Sequence, residues 1–183
     1  MRVIGGLFRS RRLRTLPGAR TRPTSDRLRE TLFNVLGSVV KGSQFADAYA
    51  GSGAVGIEAL SRGAARVYFL EHTRAAVRVI RTNLGSLGIE TGYEVLPRNA
   101  VTGLRQLRQR GVQLDVLFLD PPYAAIEEYE RVLGQLDESL LSPTGWAIAE
   151  HSRKRPLAES YGSLRCTRRL TQGDSGLSFY RLS

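Results

Sequence analysis

From residue 44 onward, the chain alternates short apolar runs with longer amphipathic segments. The runs have the length and composition of strands, and the segments repeat apolar residues at helical spacing. This alternation predicts parallel strands joined by helical crossovers, with ligands at the carboxyl ends of the strands. The predicted strands cover 45–49, 67–70, 93–96, 116–119 and 146–150; one helix runs through Ile57 and Leu60 to Gly63, and others lie near 74–84, 101–110 and 126–140.

The last twenty residues break this alternation. Apolar runs over 164–170 and 177–182 flank Gly173-Asp174-Ser175-Gly176, a composition typical of a tight turn. We therefore expect a β-hairpin that joins one edge of the sheet in antiparallel orientation. The predicted fold class is α/β, with a doubly wound, mostly parallel, seven-stranded Rossmann-like sheet.

The first 43 residues form a separate predicted unit, a small basic extension ahead of a domain over 44–183. Val3-Ile4, Gly5-Gly6 and alternating Arg and Leu to Leu16 indicate a hairpin or two short strands that end at Pro17-Gly18. Thr24 or Ser25 then caps a helix, which Gly37 or Gly42 ends.

Composition narrows the class of protein. The chain has 183 residues and 42% hydrophobic residues, enough for one core. No apolar run reaches the ~18 residues that span a bilayer, and the first residues lack the apolar core of a signal peptide, so we expect a cytoplasmic protein with no membrane partner. One cysteine, Cys166, and two scattered histidines predict no disulfide and no metal site.

The positive charge is concentrated at one end. The net charge is +10, and residues 1–29 hold nine arginines against one acidic residue, Asp26. Such a cluster can be a solvated surface, but its concentration favours binding to the phosphates of RNA. The candidate RNA-binding residues are Arg9, Arg11, Arg12, Arg22 and Arg27.

A glycine loop follows the first predicted strand of the sheet. Gly51-Ser52-Gly53 after Ala50 lets backbone amides approach a ligand, and Glu71 ends the next strand, where a carboxylate can bind both ribose hydroxyls of a nucleoside cofactor. This pair suits NAD as well as S-adenosylmethionine.

Asp47 helps to separate the two cofactors. A carboxylate beside the loop would repel the pyrophosphate of a dinucleotide, whereas it would attract the ammonium and sulfonium of S-adenosylmethionine. A loop cap or a salt bridge to an arginine is the structural alternative for Asp47, and a surface acid beside Arg74 or Arg78 is the alternative for Glu71.

Asp120-Pro121-Pro122-Tyr123 follows the apolar strand at 116–119. The Asp120 carboxylate and the Pro121 carbonyl could accept hydrogen bonds from an exocyclic amino group, and Pro122 stiffens the segment without adding a donor. Tyr123 could stack on an extruded base. The four residues together favour catalysis over a simple strand exit. Cys166, in the tail, argues against carbon-5 cytosine methylation, which needs a nucleophilic cysteine.

Several segments together resemble the RsmD-type family of bacterial 16S ribosomal RNA guanine-N2 methyltransferases. They are 2–6 with 11–13, 22–34, 50–64 and 120–123, and the first two are the most specific. The resemblance implies S-adenosylmethionine as cofactor, and 16S ribosomal RNA or the assembling small ribosomal subunit as partner. Asn99 stands where such enzymes usually place an acid that accepts a hydrogen bond from the cofactor's adenine; its amide oxygen can still accept. Arg22, Thr24 and Asp26 are implied to line the cofactor or RNA side of the cleft.

Other functions stay open at this point. The amino-group acceptors would equally serve adenine N6 or cytosine N4, in DNA or RNA. An NAD-dependent oxidoreductase and a non-catalytic RNA-binding factor are more distant alternatives.

Overall fold

The computed structural model of the chain describes residues 1–16, 25–122 and 125–183. Within these residues, eight strands form one sheet. They are β1 (Gln44–Ala48), β2 (Arg66–Leu70), β3 (Tyr93–Leu96), β4 (Leu114–Leu119), β5 (Leu141–Ser152), β6 (Ser160–Tyr161), β7 (Leu164–Gln172) and β8 (Ser175–Leu182).

The strand order is β3-β2-β1-β4-β5-β8-β7-β6. The first five strands run parallel to one another, while β8 pairs antiparallel with β5 and β7 pairs antiparallel with β8. The predicted fold class and the C-terminal hairpin are therefore confirmed. The hairpin joins the sheet through its second strand.

Helices cover both faces of the sheet, because alternate strand residues point to opposite sides. In β4, Val116 and Phe118 belong to one apolar cluster, and Leu117 and Leu119 belong to the other. The helices of the described chain are α1 (Asp26–Leu36), a short 3-10 helix (Gly37–Val40), α2 (Ala54–Ser61), α3 (Arg74–Ser86), α4 (Ala100–Gln109) and α5 (Ile126–Leu133).

Three details differ from the sequence prediction. The described sheet has eight strands rather than seven, because the two-residue strand β6 is too short to show alternation. Strand β5 begins at Leu141 rather than near 146, since Leu141 pairs with Leu114 ahead of an irregular register. Helix α5 ends at Leu133 rather than near 140; beyond it, Asp137 accepts a hydrogen bond from the Ser139 N–H and forms a turn. The buried Leu136 and Leu140 continue the apolar spacing without helix.

The amino-terminal residues form a short looped hairpin rather than two regular strands. Arg2 and Arg12 make an antiparallel bridge, beside which the Val3 N–H donates to the Arg11 carbonyl. Left-handed backbone at Gly6 and Ser10 (φ of 75° and 68°) interrupts the extended chain between them. Pro17-Gly18, the predicted end of the hairpin, lies outside the described residues.

Helix α1 begins as its sequence predicts. Ser25 is the N-cap, and its Oγ accepts a hydrogen bond from the Leu28 N–H at 3.1 Å; Thr24, the other candidate, lies outside the described residues. Leu28, Leu32 and Phe33 pack in the same apolar cluster as Phe118 of the sheet. The boundary at residue 43 stays a prediction, and the segment before it shares its core with the sheet.

A buried ion cluster fixes the amino-terminal loop to the domain. Glu58 of α2 accepts hydrogen bonds from the backbone N–H groups of Ile4 and Gly5, both at 2.8 Å, and from Arg62. Arg29 of α1 is fully buried; its guanidinium donates to the Arg2 carbonyl and lies 3.9 Å from Glu58. Burial lowers the pKa of Arg29, although Asp26 and Glu58 oppose this.

None of the described helices is long and apolar enough to cross a membrane.

Candidate active site

The loops that carry the predicted site residues meet at one edge of the sheet. Ala48, at the end of β1, pairs with Leu70 of β2 on one side and with Leu119 of β4 on the other. The residues that follow these three strands therefore emerge side by side. The sequence-based expectation that the glycine loop, Glu71 and Asp120 share one edge agrees with this register.

The glycine loop turns sharply between β1 and α2. Tyr49, Gly51 and Gly53 all have left-handed backbone, with φ of 65°, 55° and 78°. The Gly53 N–H donates to the Ala50 carbonyl at 2.7 Å, and α2 begins at the next residue. A Cβ atom on Gly51 would have only the Tyr49 carbonyl within 4 Å, so the backbone at this position faces open space.

Glu71 holds the loop from the neighbouring strand. Its Oε2 accepts a hydrogen bond from the Gly51 N–H at 3.0 Å, and its Oε1 accepts one from the Thr73 N–H at 2.7 Å. The side chain is buried, with a residue exposure of 8%. The reading of Glu71 as an exposed acid paired with Arg74 or Arg78 does not describe this arrangement.

Asp47 lies beneath the loop, and its residue is only 2% exposed. Its Oδ2 accepts a hydrogen bond from the Gly56 N–H at 2.8 Å, so it caps the first turn of α2. Burial raises the pKa of Asp47 to about 7, against the Gly56 hydrogen bond and with a further contribution from Glu71. Among the described residues, neither Asp47 nor Glu71 forms an ion pair with a lysine or arginine. The largely exposed His72 places its Nδ1 3.6 Å from Oε1 of Glu71.

Gly56 explains how closely α2 approaches the sheet. A Cβ atom at this position would lie 2.3 Å from Cε1 of Phe69, inside the ring's van der Waals radius. The glycine therefore allows the Gly56 N–H to reach Asp47.

Asp120, Pro121 and Pro122 leave the carboxyl end of β4 at this edge. Asp120 is partly exposed and Pro121 is buried. The Pro122 carbonyl accepts a hydrogen bond from the Ala125 N–H at 2.7 Å. One of the two prolyl carbonyls is therefore already hydrogen-bonded within the loop. Tyr123 lies outside the described residues, so its stacking role stays a prediction.

Asn99 follows β3 at the same edge, but its amide oxygen is engaged locally. It is the N-cap of α4, and Oδ1 accepts a hydrogen bond from the Thr102 N–H at 2.9 Å. The predicted hydrogen bond from a cofactor to this oxygen would share the acceptor with the cap.

Two residues at the site were not predicted from the sequence. The Tyr49 hydroxyl donates to Oε2 of Glu128 at 2.7 Å, which links the glycine loop to α5; burial and this carboxylate raise the pKa of Tyr49. Asn83 of α3 is 1% exposed and donates to the Ser52 carbonyl at 2.9 Å and to the Arg14 carbonyl at 3.0 Å. A polar residue on the apolar face of an amphipathic helix was the available signal for Asn83; Tyr49 carries none.

The predicted RNA-binding arginines surround the amino-terminal loop. Arg9, Arg12 and Arg27 are exposed, and Arg9 and Arg27 line a cleft of about 360 Å³ between that loop and α1. Arg11 is also exposed, and its guanidinium donates to the Ser86 carbonyl of α3 at 2.9 Å. Arg22 lies outside the described residues.

Comparisons with known proteins identify relatives along nearly the whole chain. A family model described as conserved hypothetical protein 95 matches residues 1–181. The chain is 36% identical over 182 residues to the YlbH protein of Bacillus subtilis, covering 99% of this chain and 98% of that protein. It is 39% identical over 152 residues to the ribosomal RNA small subunit methyltransferase D of Escherichia coli K12, covering 82% of this chain and 71% of that protein. The solved structure of the yhhF protein of Escherichia coli is similar with a TM-score of 0.86 at 31% identity, covering 100% of this chain and 98% of that one.

The strand order, the glycine loop and the acids at the carboxyl edge define a Rossmann-like methyltransferase. The chain belongs to the RsmD-type family, as its amino-terminal and glycine-loop segments predicted.

The residues at this edge fit S-adenosylmethionine, the cofactor that this fold family implies. The cofactor carries an ammonium and a sulfonium, and Asp47 and Glu71 form a buried acidic pair without a lysine or arginine partner among the described residues. Gly51 leaves space beside the loop. A dinucleotide pyrophosphate beside the loop would instead lie close to the Asp47 carboxyl group, which disfavours the NAD alternative.

Proposed function

We propose that this chain transfers a methyl group from S-adenosylmethionine to the exocyclic N2 amino group of a guanine in 16S ribosomal RNA, presented as RNA or within the assembling small subunit. The observation that carries the proposal is the position of Asp120-Pro121-Pro122 at the same sheet edge as the glycine loop and the buried pair Asp47 and Glu71. Two relatives, from Escherichia coli and Haemophilus influenzae, are named ribosomal RNA small subunit methyltransferase D, which supports the choice of RNA.

The amino group of a base is a poor nucleophile because its lone pair is delocalised into the ring. Two acceptors that hold both amino hydrogens favour a tetrahedral nitrogen with its lone pair directed at the incoming methyl group. The Asp120 carboxylate supplies one acceptor. The Pro121 carbonyl supplies the other, since the Pro122 carbonyl already accepts from Ala125. Tyr123 is proposed to stack on the base.

The cofactor-binding residues in the proposal surround the glycine loop. When bound, S-adenosylmethionine supplies a methyl group activated by its sulfonium. Glu71 accepts hydrogen bonds from the ribose hydroxyls, and Asp47 supports the cationic end of the cofactor through the loop that it caps. The other proposed contacts are Ala50, Gly51, Ser52, Gly53, Asn99 and Asp120.

The experiment is methyl transfer followed by identification of the product nucleoside. Purified protein is incubated with labelled S-adenosylmethionine and either protein-free 16S ribosomal RNA or unmethylated small-subunit particles. The RNA is then digested to nucleosides for mass spectrometry. The expected product is N2-methylguanosine, from at least one of the two substrates.

Other products would correct the proposal in defined ways. N6-methyladenosine or N4-methylcytidine would keep the chemistry and replace the substrate. No methyl transfer to either substrate, with S-adenosylhomocysteine bound normally, would contradict the proposal. Glu90→Gln is a suitable control for a substitution at Asp120. Glu90 is an exposed acid, but it lies between α3 and β3, remote from the carboxyl edge.

A further inference from the structure

Three consecutive basic residues follow β5 at the edge where the candidate active site lies. They are Arg153, Lys154 and Arg155, here called the basic turn, and all three side chains are exposed. No ion pair joins any of them to an acidic group in the described parts of the chain. The basic turn was not among the predicted RNA-binding residues, because the charge count placed the excess at the amino terminus.

The sheet register fixes where the basic turn lies. Leu119 pairs with Ala149, so Asp120 and Glu150 are neighbours at the carboxyl ends of β4 and β5. Arg153 follows Glu150 by three residues, which is about 10 Å along an extended strand. The basic turn therefore lies just past the carboxyl end of β5, next to the strand that Asp120 follows.

Backbone hydrogen bonds hold the turn in place. The Arg153 N–H donates to the Asp174 carbonyl at 2.8 Å, and the Arg155 N–H donates to the Ser152 carbonyl at 2.9 Å. The Ser152 hydroxyl accepts from the Lys154 N–H at 3.3 Å. The three cations thus extend from an anchored backbone, which lowers the entropy lost when they bind a ligand.

Other arginines of the domain are neutralised by local partners. Arg66 and Arg110 both contact Glu94, Arg131 contacts Glu128, and Arg169 contacts Glu159. The charge of the basic turn is not offset in this way. Residues 151–183 hold seven basic residues against two acidic ones, whereas 30–150 hold more acidic than basic residues. The hairpin region is therefore a second centre of positive charge.

The two basic centres meet at this edge. The Thr31 hydroxyl of α1 donates within reach of two acceptors, the Arg27 carbonyl at 3.1 Å and Oε1 of Gln172, the last residue of β7, at 3.3 Å. The turn that joins β7 to β8 supplies the Asp174 carbonyl that holds Arg153. Helix α1 and the basic turn therefore both contact the end of the hairpin, α1 through Gln172 and the basic turn through Asp174.

We propose that Arg153, Lys154 and Arg155 bind the backbone phosphates of the RNA strand next to the target nucleotide. The inference rests on the proposed function and assigns this surface to the substrate strand. A base that leaves its stack for modification needs the flanking backbone held, and clustered exposed cations supply that affinity without reading sequence.

The test replaces the basic turn with neutral side chains of similar length. R153Q/K154Q/R155Q is compared with K41Q/R105Q/R165Q, which removes three exposed charges elsewhere on the described surface. For the first variant, the dissociation constant for protein-free RNA should rise about tenfold or more, and the magnitude of the negative slope of log affinity against log salt should fall by about two to three. Single-turnover methyl transfer at saturating RNA and S-adenosylhomocysteine affinity should stay near the parent values. The second variant should behave like the parent in all four measurements.

Conservative replacement separates charge from structure. R153K/R155K keeps all three charges and should retain most of the affinity, because phosphate binding depends mainly on charge. If the neutral variant and the control variant bind protein-free RNA equally well, the inference is wrong. A loss seen on small-subunit particles but not on protein-free RNA would assign the turn to a protein partner and would also overturn it. Failure of the parent protein to methylate both protein-free RNA and small-subunit particles would instead count against the proposed function.

Discussion

Asp47 has a buried carboxyl group at the carboxyl edge of the sheet. In the ligand-free protein, burial disfavours the charged form of this group. Burial raises the pKa of Asp47 to about 7, from the 3.8 of an ordinary aspartate. Between these two pH values, the folded protein binds more protons at this group than the unfolded chain does. The stability of the ligand-free protein therefore falls as pH rises through this window, and the full penalty remains above pH 7.

Asp47→Asn should remove this penalty while keeping an acceptor for the Gly56 N–H. Relative to the parent, the ligand-free variant should be more stable at pH 8 by an amount on the order of 3 kcal/mol, with a much smaller difference at pH 4. Urea denaturation at several pH values measures this. Equal differences at pH 4 and pH 8 would show that Asp47 has an ordinary pKa.

The sequence predicted the positions of the acids at the carboxyl edge better than it predicted the hydrogen bonds of the residues around them. Asp47, Glu71 and Asp120 lie at the carboxyl ends of three parallel strands that neighbour one another in the sheet, so their meeting at one edge follows from the parallel fold class. The Tyr49 and Asn83 hydrogen bonds depend on the angle between loops and helices, which residue spacing does not determine. The local use of Asn99 as a cap could have been anticipated, because Asn is a preferred N-cap residue.

Helix α3 connects the amino-terminal loop to the glycine loop through one side chain. Asn83 bonds the Ser52 carbonyl and, in both directions, the backbone of Arg14. Anything that orders residues 1–16 is thus linked to the position of the glycine loop. The two loops carry the proposed RNA-binding and cofactor-binding residues.

Asn83→Leu should disturb both loops. It leaves buried backbone groups without partners, which costs about 1–3 kcal/mol, and it should weaken S-adenosylhomocysteine binding by about tenfold. Hydrogen exchange should become faster at residues 1–16 and at Gly51 to Gly53 together. Thr82→Ala, one residue earlier on the exposed face, is the matched control. Faster exchange at only one of the two loops would contradict the link.

Helix α2 holds the amino-terminal loop through the buried carboxylate of Glu58. Glu58→Ala would leave Arg29 buried with its charge less compensated and would remove the acceptor for Ile4 and Gly5. Unfolding free energy should fall by about 3–5 kcal/mol, whereas Glu127→Ala, at an exposed position in the first turn of α5, should change it by less than about 1 kcal/mol. Chemical denaturation of the two variants distinguishes these values, and similar losses would show that the buried cluster adds little.

Helices and strands with a regular hydrophobic period were predicted closely. Segments in which the hydrophobic period continues through a turn or a bend were not. The strands of the parallel sheet lie within a few residues of their predicted positions, because each is a buried run bounded by glycine or polar residues. Helix α5 was predicted too long, since Leu136 and Leu140 keep helical spacing while packing from a turn. The amino-terminal loop alternates Arg and Leu like a strand, yet left-handed residues bend it back on itself.

The described parts of the molecule present two basic surfaces and one acidic edge. The amino-terminal loop and α1 carry one, and the basic turn carries the other, at the same carboxyl edge as Asp47, Glu71 and Asp120. Sequence reasoning recognised only the first surface, because a composition count does not show which distant segments meet. The arrangement suits a polyanionic substrate that must deliver one base to an acidic site.

RNA binding by the whole protein should therefore depend steeply on salt. R9Q/R12Q/R27Q neutralises exposed arginines of the amino-terminal surface. It should make the negative slope of log affinity against log salt shallower by about three. Filter binding between 50 mM and 200 mM salt, conditions under which phosphate contacts dominate the change in affinity, measures the slope. An unchanged slope would remove these arginines from the proposed interface.

Asp120 is proposed to accept a hydrogen bond from the amino group of the substrate base, at the carboxyl edge of the sheet beside the glycine loop. The most direct test of this role is the rate of methyl transfer to ribosomal RNA by Asp120→Asn in a single turnover, beside calorimetric binding of S-adenosylhomocysteine. We expect a rate at least about 100-fold lower than that of the parent, with a much smaller loss of S-adenosylhomocysteine affinity, because asparagine keeps an oxygen acceptor toward the cofactor. A variant that transfers methyl groups at the parent rate would contradict this role.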